Sequence, residues 1–413
     1  MSERVVPKRR LSILAALRFR DFRLLWIGLL ISNLGTWMQF TAMGFFVARM
    51  AGTPHTAALY LGVLGASRAV PVLLLSPIAG VIADTWPRRR IIFLANLAMA
   101  LAALALAILA SLRQLDLAWL LVISAINSGA QSFDSPARQS WLPLLVERAY
   151  VGNAIGLTSI AFNAPAIIGP AIAGALIVWV GVAGSFYVNA IATLAVVGAV
   201  MLMAAAPPTS KSDLPMFASI RIGITFLAQH RILRWIIVVF VLTALLVRPY
   251  SQLMPALIIN TLHGGAATLG WAFSAIGIGG FAGALIIAYF SQFENRSILW
   301  FLAGGVMTLG VFALGFVSSL SATLPLLFMI GVGTLAFLGA TNTLIQMLSP
   351  DVLRGRAMSV YSMIAIGVVP GGSLIVGAFA ALVGLHVAFL CAGAIAALAF
   401  LGVWFFVPVV RTV

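Results

Sequence analysis

Four residues on one helical face carry the clearest chemistry in this chain of 413 residues. Asn127, Gln131, Asp134 and Arg138 recur at i, i+4, i+7 and i+11, with Ser124 at i−3, so all lie along one side of a helix. The set combines a titratable carboxylate, a cation four residues away that can pair with it, and two amides that both donate and accept. Such a face suits a substrate or proton path, and it equally suits a structural ion pair at a gate; the spacing leaves both open. Arg68 and Arg248 lie near the middle of apolar runs, with no acid at comparable depth. Each can receive an anionic or acceptor-rich ligand, or bond to helix carbonyls and polar neighbours. Other chemistries find no residues. There is no Gly-x4-Gly-Lys-Ser/Thr phosphate loop, and Lys8 and Lys211 are the only lysines. His55, His230, His263 and His386 are scattered, not spaced as metal ligands. No nucleophile sits with a base, so neither enzyme activity nor a cofactor is expected.

The elements that must position these residues are membrane spans. The chain is 62% apolar and only 8% charged, too few charges to cover a soluble globule. Runs of about 20 apolar residues, each able to cross ~30 Å of hydrocarbon, predict an all-α polytopic membrane protein with twelve transmembrane helices. The expected spans are 24–48, 57–83, 91–112, 115–141, 151–180, 183–205, 235–260, 268–290, 297–317, 322–347, 357–382 and 385–407. With loops alternating sides, nearly every Lys and Arg joins the N-terminus; only Arg49 and Arg113 fall opposite. Basic residues stay in the cytoplasm, so both termini are expected there, in a bacterial-type inner membrane. The net charge of +15 therefore reads as topology, not nucleic-acid binding. Cys391 is the single cysteine, so no intramolecular disulfide forms. The basic N-terminus precedes a full-length span, so no cleavable signal is expected.

Three regions follow. Residues 1–205 form a six-helix half with an amphipathic N-terminus, where Leu11, Leu14, Leu17 and Phe22 fall among Arg18, Arg20 and Arg23. Residues 206–234 form a linker that opens with Pro207-Pro208 and continues as an interfacial helix through Phe217, Ile220, Ile224 and Leu227. Residues 235–413 form the second six-helix half. A shift of 203 brings Gly152-Asn153-Ala154 onto Gly355-Arg356-Ala357, Leu145 onto Leu348 and Gly80 onto Gly283. Two parallel copies around an axis normal to the membrane place a ligand site between them at the midplane. Periodicity adds Asn33, Trp37 and Thr41 in span one, Thr243, Tyr250 and Gln252 in span seven, and Thr334, Thr341, Asn342 and Gln346 in span ten.

The loop Gly80-Val-Ile-Ala-Asp84-Thr-Trp-Pro-Arg88-Arg89-Arg90 resembles the loop between spans two and three of the major facilitator superfamily. Three segments, Phe22 to Gln39, Gln131 to Val146 and Leu353-Arg354-Gly355-Arg356 to Tyr361, look like the drug/proton-antiporter branch similar to enterobactin and macrolide exporters. The resemblance implies twelve helices in two pseudo-symmetric halves, with spans one, four, seven and ten lining the path. It implies that the Gly80–Arg90 element latches the halves in the outward-facing state. Span five carries Gly156, Gly169, Pro170 and Gly174 of the superfamily's exporter pattern, with Pro165 and Ala173 in two glycine positions. Ala166 stands where relatives often carry Arg, so no substrate contact of that arginine is expected here. By this resemblance the chain is a monomeric secondary transporter that exports a small amphipathic compound (drug, siderophore or metabolite) against protons, surrounded by membrane lipids. An uncoupled facilitator of a sugar or metabolite, or a lysolipid or lipid translocator, shares the fold and stays open.

Overall fold

The computed structural model describes residues 14–203, 216–290 and 295–412; the side chains of residues 77, 81, 83, 84, 216–220, 366 and 412 lie outside that description. Every regular element among the described residues is helical. The first half comprises α1 (Arg20–Ala51), α2 (Pro54–Thr85), α3 (Arg88–Ser111), α4 (Leu117–Trp141) and α5 (Val151–Leu202). Side chains cap the starts of α4 and α2: Asp116 Oδ1 accepts from the Trp119 N–H at 2.9 Å, and Thr53 Oγ1 from the Thr56 N–H at 3.2 Å. Helix α5 holds two of the expected spans. It breaks at Gly181, where φ is 73° and ψ −177°, a conformation that a side chain would strain, and the chain turns back there.

A short helix, α6 (Met216–Gln229), leads into the second half. There α7 (Leu233–Leu246) and α8 (Tyr250–Pro255) run into a π-helical turn at Ala256–Thr261. Next come α9 (Ala266–Tyr289), α10 (Arg296–Leu314) and α11 (Leu320–Leu348). Helix α12 (Asp351–Ser362) continues through a second π-helical turn, Met363–Val368, into α13 (Val369–Val383), and α14 (Leu385–Phe406) closes the series. Nine helical stretches among the described residues are long and apolar enough to cross a membrane, and one of them is the double-length α5 region. Helices α1 and α4, with 32 and 25 residues, are long enough as well but carry more polar side chains. The set is consistent with twelve crossings.

Two interfacial helices expected from the sequence differ in outcome. Residues 1–13 lie outside the description; Ala15–Arg18 is one 3-10 turn, and α1 begins two residues later. Phe22 is fully buried in α1, so it packs inward where the amphipathic reading turned it to lipid. The second does form, as α6, but it docks on protein: a Cβ at Gly223 would lie 2.6 Å from the Arg356 carbonyl oxygen.

Packing follows small residues. Gly35 admits the second limb of α5 against α1, where a Cβ would come within 2.8 Å of Ala192. Gly279 and Gly283 set α9 directly against the backbone of α11 at Phe328 and Val332. The outer surface is apolar: Leu74, Ile191 and Leu382 are 67%, 69% and 81% exposed. Such exposure is stable only where lipid is the solvent.

Contacts between the halves concentrate on the side away from the termini. A Cβ at Gly44 would meet Pro255 at 2.5 Å, one at Gly62 the Ser373 carbonyl at 2.7 Å, and one at Gly174 the Ala266 carbonyl at 2.8 Å. Asn260 Nδ2 donates to the Ala48 carbonyl at 2.9 Å, and His55 Nδ1 lies 2.8 Å from the Ala381 carbonyl. On the terminal side Gln131, Gln139 and Gln346 are exposed. The close contacts that join the halves thus lie at the far end, and polar side chains are exposed towards the termini.

Candidate functional site

The polar face of α4 opens on a cavity of about 190 Å³ lined by α1 to α4 and the second limb of α5. Asn33, Arg68, Asn127, Gln131, Asp134 and Arg138 meet there, from three helices that the sequence separates by up to about a hundred residues. Asp134 is 1% exposed. Its Oδ2 lies 2.9 Å from Arg138 Nη1, and its Oδ1 accepts from Asn96 Nδ2 at 2.7 Å. Both carboxylate oxygens are therefore engaged, and the Arg138 guanidinium also sits 4.8 Å over the Phe162 ring of α5. Removing two ions from water is unfavourable, and only pairing plus extra hydrogen bonds offsets it. This pair has both.

Asn127 and Gln131 have no hydrogen-bond partner within the protein among the described residues, and both face the cavity. Asn33 Nδ2 donates to the Ala161 carbonyl at 3.1 Å and ties α1 to α5. Arg68 enters from α2. Its Nη2 lies 3.0 Å from the Met43 sulfur, and its guanidinium carbon is 5.4 Å from the centre of the Phe40 ring. Trp37 and Thr41 do not line this space. Trp37 packs its Cβ against Gly169 and its ring on Phe40, while Thr41 is fully buried and donates to the Trp37 carbonyl at 3.0 Å.

Among the polar lining residues that the sequence reading did not assign to the site are Gln39, Asn96 and Asn189. Asn96 is an isolated amide in the apolar run of α3, and Asn189 is another in the second limb of α5. Asn189 Nδ2 donates to Gln39 Oε1 at 2.7 Å. A lone amide in a lipid-length apolar helix needs a partner, and that was the available signal.

The candidates of the second half lie elsewhere. Arg248 Nη1 donates to the Ala365 carbonyl in the second π-helical turn at 2.8 Å. Tyr250 is buried, and Gln252 is half-buried beside it. Thr341 is fully buried, accepting from Trp300 Nε1 at 3.0 Å and donating to the Phe337 carbonyl at 2.7 Å. Gln346 Nε2 and Asn342 Oδ1 bond to each other at 2.5 Å. None of these six lines the cavity of the first half.

The expected gating residues occupy the terminal side. Gly80 lies in the last turns of α2, and the Asp84 side chain lies outside the described residues. Arg88, Arg89 and Arg90 start α3; Arg89 Nη2 donates to the Met201 carbonyl at 2.9 Å, and Arg88 Nε is buried without a partner among the described residues. Arg354 pairs with Asp351 at 2.7 Å and donates to the Gln346 carbonyl, whereas Arg356 offers its carbonyl oxygen to the contact with Gly223. Of the span-five residues, Gly169 packs on α1 at Trp37, while Pro170 and Gly174 pack on Gly270 of α9. Gly156 has no neighbour within 4 Å of a Cβ position.

The family model described as transmembrane secretion effector matches residues 11–412. The multidrug efflux pump Tap of Mycolicibacterium fortuitum is 30% identical over 347 residues, 81% of this chain and 84% of the relative. The staphyloferrin A transporter of Staphylococcus aureus is 24% identical over 354 residues, 85% and 87% of the two chains. Among solved structures, a D-xylose–proton symporter superposes with a TM-score of 0.72 at 14% identity, covering 97% of this chain and all of that one.

Proposed function

Because the chain belongs to the transmembrane secretion effector family of the major facilitator type, a family of membrane transporters and not of enzymes, we propose that it is a secondary active exporter of small amphipathic compounds, driven by protons. The observation that carries this reading is a polar cavity walled by the first half of an apolar bundle, whose two halves are joined by close glycine contacts on the side away from the termini. The terminal side is the cytoplasm, on the distribution of arginines. A compound enters from there, settles against Asn127, Gln131 and Arg68, and leaves after the halves rock about the cavity. Export is favoured by relatives named as efflux pumps and by Pro170 and Gly174, whose close packing on Gly270 supports a tight seal between α5 and α9.

Within this reading the Asn96–Asp134–Arg138 network couples the proton. Protonating Asp134 would release Arg138 from its partner and change what α3 and α4 hold together, so the network can register both a proton and the state of the gate. The test is accumulation of a compound panel in cells with and without the protein, repeated with an uncoupler. Lower accumulation that the uncoupler abolishes is expected. Efflux indifferent to the uncoupler would replace the proton-driven reading with a facilitator. In vesicles, Asp134→Asn is expected to abolish pH-driven efflux; unchanged coupling would clear that residue of the role.

A further inference from the structure

The two mid-span arginines are held by different chemistry. Arg248 is bonded to a backbone carbonyl at 2.8 Å and sits away from the cavity. Arg68 lines the cavity and has a thioether at 3.0 Å and an aromatic face at 5.4 Å. Sulfur is a weak acceptor, and a ring face attracts a guanidinium only through its quadrupole. Neither carries negative charge. The charged residues lining the cavity are Arg68, Asp134 and Arg138, and the last two pair with each other. Among the described residues the pocket therefore keeps one uncompensated positive charge, and it resides on Arg68. On α4, the amides of Asn127 and Gln131 lack protein partners among the described residues and can donate to the same ligand. Phe40, Met43 and Met99 supply an apolar wall.

Resting on the transporter reading above, we propose that Arg68 is the anion-recognition point of the cavity, and that the preferred substrates are amphipathic organic acids. The carboxylate takes the guanidinium fork in a bidentate, charge-assisted pair, and the apolar body lies against Phe40, Met43 and Met99. One consequence concerns the far end. Phe40 also meets Phe273 of α9 edge-on at 5.4 Å, a contact between the halves. An anion that draws the guanidinium off Phe40 therefore acts on a contact that joins the halves.

The test uses purified full-length protein in detergent and a set of aryl acids, each paired with its primary amide, beginning with 1-naphthaleneacetate and 1-naphthaleneacetamide. Binding is read from the thermal midpoint and from intrinsic tryptophan fluorescence. Acids are expected to half-saturate at concentrations about tenfold below their amides, the scale of one charge-assisted hydrogen bond. Arg68→Gln removes that difference, Arg68→Lys keeps part of it, and the surface variant Arg113→Gln keeps all of it. Equal affinity for acids and amides, no binding by any acid, or a preference that survives in a folded Arg68→Gln protein would overturn the proposal. If Arg68→Gln fails to elute as a monodisperse species, the acid–amide comparison on the unaltered protein and on Arg68→Lys still decides. Binding is measured without transport, so the two readings fail separately. Anion preference without efflux from vesicles sinks the export reading alone, and efflux of neutral compounds without anion preference sinks this one alone.

Discussion

Around α4, polar side chains border open space; around α11, they are bonded to one another. Asn127 and Gln131 wait in a cavity with Arg68, whereas Asn342 bonds Gln346, Thr341 bonds Trp300 and Phe337, and Arg248 bonds the Ala365 carbonyl. The second half fills the remaining space with aromatic rings. Phe240 stacks on Tyr361 at 5.2 Å, and Trp300, Phe337 and Phe400 form a pile with centroid distances of 5.0–5.6 Å. Two halves with parallel topology have thus divided their work. The first offers unsatisfied donors, which is what a ligand site requires. In the second, the polar groups around α11 and Arg248 are bonded within the protein, which leaves them less free for a ligand.

The comparison can be broken most severely at the ion pair. Asp134→Ala should leave Arg138 buried without its partner and lower stability by about 3–5 kcal/mol. Adding Arg138→Met should recover most of that loss. A thermal melt in detergent checks both, and an additive double variant would deny that the two residues act as a pair. Next comes helix packing. Gly279→Val drives a side chain into the α11 backbone at Phe328 and should remove about 3 kcal/mol, while Gly156→Val, with open space around it, should be tolerated. Yield and melting temperature distinguish them. The arginines sharpen the contrast further. Arg248→Met orphans the Ala365 carbonyl and should lower stability by about 1–3 kcal/mol; Arg68→Met removes a buried cation that had no anionic partner and should be neutral or stabilising. Equal losses would mean that the two halves treat their arginines alike.

The smallest effect is expected outside the membrane, where α6 meets α7. His230 Nδ1 accepts from the N–H groups of Ile232 and Leu233 at 3.3 and 3.2 Å, and partial burial lowers its pKa below the usual 6.5. The folded protein thus binds this proton less readily than the unfolded chain. Stability is complete above the unfolded pKa and falls as pH drops through the lower folded value. Between about pH 7.5 and pH 5 the melting temperature should fall slightly more than in His230→Ala. Identical pH profiles would remove His230 from the account.

Much of the fold was legible because the bilayer restricts what can cross it. Length and apolarity delimit spans; even the turn at Gly181 lies between the two expected ones, 151–180 and 183–205. The face of α4 was legible for the same reason: its spacing of 4, 3 and 4 residues matches a helical turn whatever surrounds it. Other features lay beyond that logic. Thr41 and Thr341 have the periodicity of lining residues, yet each turns its hydroxyl to a carbonyl four residues back, because a helix offers its own acceptors to a buried threonine. Phe22 shares a pattern with its neighbours that suits an interfacial helix, yet tertiary packing claims it for the core.

By itself, the sequence determined that an apolar chain would cross lipid many times as helices, with one polar seam and two mid-span cations. That much follows from local periodicity and from the exclusion of bare backbone polar groups from hydrocarbon. Only the tertiary structure decided that Asn96, thirty-eight residues from Asp134, would complete its bonding, and that Arg68 would face space while Arg248 found a carbonyl. Those outcomes depend on which helix stands next to which. That arrangement is a property of packed surfaces and is carried by no single segment.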